Sequence, residues 1–146
     1  MNITTTLMQQ LEKDEGEMIA IRRHLHQHPE LSFQEKATAA YIKAYYEKLD
    51  CQITECGDGY GLIVDIIGEQ CGKQLALRAD FDALAVEEDN QLPFRSQVPG
   101  VMHACGHDGH TAYLMVLAKN LITLKDQLKG SIRICLLYTS PSPRDR

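Results

Sequence analysis

The sequence has no Cys-x-x-Cys pair, no block of lysines or arginines, and no apolar run longer than the seven residues Ala112–Ala118. A helix that crosses a bilayer needs about 20 such residues, so no membrane span is expected. Met1–Gln10 shows neither a basic start nor an apolar stretch, so no secretory signal is visible. The five cysteines, at 51, 56, 71, 105 and 135, make an odd count. Without paired spacing or a signal they read as free thiols in a reducing compartment, and the cytoplasm is the expected location. The formal net charge of −5, spread without a basic cluster, predicts no nucleic-acid partner and no binding to an anionic membrane surface.

What is present is ordinary globular composition. Hydrophobic residues make up 44% and charged residues 24% of 146 positions, which argues against disorder and low complexity. A chain of this length forms one domain and buries roughly 70% of its unfolded surface. Leu7, Leu11, Met18, Ile21 and Leu25 recur at helical steps, predicting one helix from about Thr6 to His28, ended by Pro29. Ser32 and Glu35 have the spacing of a capping box for a second helix that runs to about Asp50. Cys51–Cys56, Leu62–Ile67 and Gln74–Ala79 read as strands separated by glycine-rich turns. The nearly unbroken apolar run Leu62–Ile67 suggests a strand covered on both faces. A polar, proline-marked segment, Ala83–His110, leads into a helix at about Thr111–Leu124 and a last strand from Ser131. Strand, crossover helix and strand form a βαβ unit, so the expected architecture is α/β, a layered sheet with helices on both faces.

Chemistry concentrates in Met102–His110, MHACGHDGH, which holds three histidines, a cysteine and an aspartate. In extended backbone Cys105 and His107, two apart, point to one side and can grip one ion. Gly106 between them permits close approach. A thiolate with an imidazole suits zinc, cobalt or nickel, and manganese once carboxylates join. The plainer alternative is a buried thiol that packs as a small hydrophobe beside histidines bonded to backbone. Asp80 and Asp82 follow the strand Gln74–Ala79, at the sheet edge where α/β proteins place ligands. There Asp82 is suited to orient a metal-bound histidine. His24, His26 and His28 on the first helix read as structural, and Glu87-Glu88-Asp89 as a solvated loop. Gly57-Asp58-Gly59-Tyr60-Gly61 lacks the spacing of a dinucleotide-binding loop and reads as a hairpin.

Three ordered motifs, Arg22–Phe33 (RRHLHQHPELSF), Leu77–Leu84 (LRADFDAL) and Pro99–Thr111 (PGVMHACGHDGHT), resemble the N-terminal part of the metal-dependent amidohydrolases. That family includes aminoacylases, hippurate hydrolase and the indoleacetyl-amino-acid hydrolases. The resemblance implies a two-metal catalytic domain that cleaves the amide of a small N-acyl amino acid. It further implies that Cys105 and His107 bind metal, that Asp82 supports catalysis beside the ions, and that Asp80, Asp108 and His110 support the ligands from behind. Ala85 stands where the family usually has proline. The family continues past its last matching strand with a Glu-Glu segment that supplies the general base and a ligand, then with further histidines and a smaller dimerisation domain. No residue of this chain matches that base, so the chain alone is expected to be inactive, and its parent to be a homo-oligomer.

Residues 136–146 depart from the pattern. Net charge is +2 from Arg133 onward against −7 before it, and Thr139–Arg146 has no apolar periodicity. The expected division is a catalytic-domain part, residues 1–135, and a non-native or disordered tail, residues 136–146. The competing function class is a non-enzymatic α/β module whose Cys/His loop is a structural metal clip or a regulatory thiol site.

Overall fold

A computed structural model describes residues 2–57 and 59–137. The long first helix predicted from the sequence is two helices, α1 (Ile3–Lys13) and α2 (Glu15–Gln27). The break falls at Asp14, whose carboxylate accepts hydrogen bonds from Lys119 at 2.8 Å and Asn120 at 2.9 Å. Lys119 also reaches Glu17 on the far side of the break. One cation on a neighbouring helix thus ties both segments, which an apolar stripe alone does not reveal. Helix α3 (Lys36–Glu47) follows, but not by the expected capping box. Glu30 caps it instead, accepting from the backbone N–H and hydroxyl of Thr38 at 2.6 Å each and from the N–H of Ala37 at 3.2 Å. A carboxylate at a helix N-terminus also meets the positive end of the dipole. This leaves Ser32 and Glu35 for other surroundings.

The sheet has four strands: β1 (Gln52–Glu55), β2 (Leu62–Ile67), β3 (Gln70–Asp80) and β4 (Lys129–Leu137). Their order is β1-β2-β4-β3. β1 and β2 form the expected antiparallel hairpin. β3, helix α4 (His107–Thr123) and β4 form the expected βαβ unit, with β3 and β4 parallel. β4 inserts between β2 and β3, so the two strands joined through Gly68 and Glu69 are not neighbours. That crossing forces three backbones together. A Cβ on Gly130 (φ +93°) would lie 1.9 Å from the Lys73 carbonyl oxygen, and one on Gly68 2.3 Å from that of Leu128.

Register places Leu62, Val64 and Ile66 beside Leu136, Ile134 and Ile132 on one face of the sheet. These side chains form one core with Ile21 and Leu25 of α2, Ile42 and Tyr46 of α3, and Met115 and Val116 of α4. The described helices therefore pack on one face, not both. The other face carries the Asp65–Arg133 ion pair, with bonds of 2.8 and 3.0 Å, beside the exposed Ile67. The apolar run Leu62–Ile67 is half core and half open surface. Leu136 and Leu137, expected in the tail, are strand residues, and Leu136 is fully buried. The remainder of that tail, residues 138–146, lies outside the described residues.

Candidate metal centre

The C-terminal end of β3 delivers Asp80, buried Phe81 and then Asp82 to the start of α4. Two isolated bridges, Leu31 with Ala83 and Leu84 with Met102, hold the chain on either side of the long loop. α4 begins at His107, four residues earlier than the sequence predicted, so the His107–His110 stretch is helical. The approach to it is bent at Cys105–Gly106 rather than extended. Cys105 and His107 thus do not have the strand-like geometry expected from their spacing. Gly106 also makes room for a different partner than expected, since a Cβ there would sit 3.1 Å from the imidazole of His110.

Asp80, Asp82 and His107 converge, with one ligand atom of each within 4.8 Å of the others. His107 Nδ1 donates to the Asp82 carbonyl oxygen at 3.0 Å and lies in ion-pair contact with Asp82 Oδ1 at 2.9 Å. A carbonyl oxygen only accepts, so Nδ1 carries a proton and Nε2 is the nitrogen that a cation can take once it gives up its own proton, the usual orientation of a metal-ligating imidazole backed by a carboxylate. Ser32 donates to the other Asp82 oxygen at 2.6 Å. Burial opposes the charge on Asp82, but the bonds from His107 and Ser32 outweigh it and hold the carboxyl below its ordinary value. The same bond to Asp82 raises His107 to about 9. Asp80 is paired with Arg78 through two bonds of 2.8 and 3.1 Å, and its backbone carbonyl accepts from Thr111 at 2.8 Å. Cys105 is exposed and stands outside the trio. Arg78, Asp80, His107 and His110 line a shallow cleft of about 220 Å³ that opens the trio to solvent.

The residues present fit a divalent cation. Two carboxylates and an imidazole with a free nitrogen, beside an exposed thiol, are a mixed donor set suited to a borderline transition metal. Asp108 does not face the trio. It is buried on the other side of the helix start, where it bonds His26 and Arg22.

Several participants escaped the sequence reading. Glu88, expected in a solvated loop, is buried and bonded to His26. Glu35 is fully buried, and neither carboxylate oxygen has a hydrogen-bond partner. Burial pushes its carboxyl up to about 7, although the nearby backbone N–H groups of Glu35 and Phe33 offset part of this. His103 is buried with both ring nitrogens unpartnered, and desolvation lowers it to about 4, which keeps the ring neutral. His26 is structural as expected, whereas His24 stacks on Tyr41 at 4.0 Å near the surface.

Residues 76–139 match the model of peptidase family M20/M25/M40. The chain is 46% identical over 117 residues to an N-acyl-L-amino acid amidohydrolase of Geobacillus stearothermophilus, covering 80% of this chain and 32% of that protein. It is 49% identical over 120 residues to an N-acetyl-L-cysteine deacetylase of Bacillus subtilis, covering 82% and 29%. Among solved structures it is similar to a dinuclear metal-binding peptidase of the M20 family from Bacillus subtilis, with a TM-score of 0.81 and 41% identity over 86% of this chain and 35% of that one. The chain spans about a third of the length of the relatives it matches. With three motifs in order, a mixed α/β fold shared with a solved M20 structure and an acid–histidine cluster at the end of a sheet strand, the chain is similar to one part of the proteins of the peptidase M20/M25/M40 family.

Proposed function

We propose that this chain is the N-terminal part of the catalytic domain of a metal-dependent amidohydrolase acting on small N-acyl amino acids. The observation that carries the reading is the Asp82–His107 pair at the end of β3, which brings an imidazole to the cleft beside Asp80. The names of the similar proteins, an amidohydrolase and a deacetylase of N-acyl amino acids, support the substrate class. Cys105 and His107 would hold the metal, with two ions in the complete enzyme, drawn from zinc, manganese, cobalt or nickel. A bound ion of this kind polarises a scissile carbonyl and lowers the pKa of water.

The chain's own residues do the positioning. Asp82 keeps the proton on His107 Nδ1 and so keeps Nε2 aimed away from it. Ser32 fixes the remaining Asp82 oxygen, and Arg78 holds Asp80. Each described acid near the trio is thereby occupied, and Glu35 is sealed from solvent. None of them is placed to take a proton from water and pass it to a leaving amine. We therefore propose that the 146-residue chain by itself has negligible amidase activity, and that the parent works in the cytoplasm as a homo-oligomer assembled through a further domain. Assay of N-acetyl and benzoyl amino acids with added cobalt or manganese tests this. Metal-dependent turnover comparable with that of a full-length relative would overturn the inactivity, and a full-length parent inert on both substrate sets would overturn the function.

A further inference from the structure

Behind the trio lies a second cluster that the reaction does not use directly. His26, on α2, is sealed between two buried carboxylates. Its Nδ1 lies 2.8 Å from Asp108 Oδ2 and its Nε2 lies 3.0 Å from Glu88 Oε1. Both carboxylates receive further donors. Arg22 Nε reaches the same Asp108 oxygen at 3.0 Å, and the N–H of Gly109 reaches the other at 2.8 Å. Asn90 and the N–H of Ser96 donate to Glu88. The ring and Arg22 together face the two acids. Phe94 meets the ring edge-on at 5.7 Å and carries the guanidinium groups of Arg22 and Arg23 at 5.3 and 4.8 Å. Three separate pieces of chain meet at His26: helix α2, the loop through Glu88–Ser96, and the first turn of α4.

That first turn is the one that carries His107. Its two leading side chains are held from opposite sides, His107 by Asp82 and Asp108 by His26 with Arg22. We propose that His26 is a positioning residue of the candidate metal centre, an enclosed ring that fixes the start of α4 through Asp108 and so holds His107 in register with Asp82. The assignment rests on the reading of Cys105 and His107 as metal ligands only for its effect on metal binding. Its effect on His107 exists in the metal-free chain. Supporting groups of this kind typically cost 10–100-fold in metal affinity when removed.

The test uses the 146-residue chain with the variant His26→Gln and the double variant His26→Gln/Glu88→Gln, which removes the carboxylate stranded by the first change. Imidazole ¹⁵N NMR of the metal-free wild type is expected to show the Nδ1–H of His107 bonded to Asp82. In the double variant, helix content and melting return towards wild type. The His107 signature stays lost, and cobalt affinity, read from the thiolate charge-transfer band, stays 10–100-fold weaker. A clamp that served only the fold would recover all three together, so a double variant with the wild-type His107 signal and wild-type cobalt affinity overturns the proposal. If the wild type takes up no cobalt through Cys105, the metal reading fails, while the His107 signal still decides the role of His26.

Discussion

Replacing Glu35 by glutamine makes the sharpest prediction. The side chain is fully buried with both oxygens unpartnered, and burial lifts its carboxyl from 4.5 to about 7. Each pKa step of one corresponds to about 1.4 kcal/mol between the protonation states. The folded chain therefore bears a penalty of about 3 kcal/mol for ionising this group in place. The sign follows from which state ionises first. Below pH 4.5 the carboxyl is protonated both folded and unfolded, and there is no penalty. Between pH 4.5 and 7 the unfolded chain loses the proton while the folded chain keeps it, so stability falls as pH rises. Above 7 the full penalty stands. Glutamine matches the neutral acid in shape and polarity and never ionises. Glu35→Gln is thus expected to leave stability nearly unchanged at pH 4–5 and to raise it by about 3 kcal/mol at pH 8. Urea unfolding at the two pH values measures the difference, and at typical denaturant sensitivities of about 1–3 kcal/mol per molar the midpoint moves by about 1 M or more. The same change at both pH values, or a loss of stability at pH 8, would refute the reasoning.

The other predictions concern the site and the strand crossing. Asp82→Asn removes the partner that raises His107 to about 9, so NMR titration of the His107 ring should fall back toward 6.5, and an unmoved midpoint would contradict the pairing. Because a raised histidine stabilises the fold below its unfolded pKa and loses that contribution as pH rises through its folded one, Asp82→Asn should cost at most about 3 kcal/mol near pH 6 and little above pH 9–10 in the metal-free chain. Metal uptake must displace the same proton, so cobalt affinity should rise about tenfold per pH unit between 6 and 8 from His107 alone, and calorimetry in two buffers should detect release of at least one proton per ion. Gly130→Ala drives a methyl group into the Lys73 carbonyl at a positive φ, and should cost about 3 kcal/mol or more, with thermal melting showing a loss far larger than for Gly109→Ala, which has open space around its Cβ.

The parts of the fold legible in the sequence are those set by local pattern. The β1–β2 hairpin, the β3–α4–β4 crossover and the helix α3 follow from alternation, turn residues and helical stripes. The misread parts depend on side chains distant in the chain. Nothing near Asp14 announces that Lys119 will end a helix there, and nothing near Ser32 shows that its hydroxyl is taken by Asp82 in place of a backbone cap. The one-sided sheet was equally hidden, because Ile63 and Ile67 read as core until register places them opposite the core face. At the site, the motifs single out Asp82 and His107, and the structure brings the two side chains into contact. The motifs could not show that Cys105 lies outside the compact trio or that Asp108 turns away from it. Of Glu87-Glu88-Asp89 only Glu88 departs from the solvated reading, since it is buried against His26, 62 positions away, while its two neighbours are exposed.

A sheet clothed on one side behaves in solution like half of a closed book. Ile67 and the half-exposed Ile63, Cys135 and Leu137 form a greasy page with one charged pair, Asp65 and Arg133, printed across its middle. Two such pages can meet, and the outer β3 strand offers a second seam beside them. The purity and yield of this polypeptide should therefore depend on its dose, with light scattering rising steeply with concentration and Arg133→Ala aggravating it, since that change erases the most hydrophilic mark on the page.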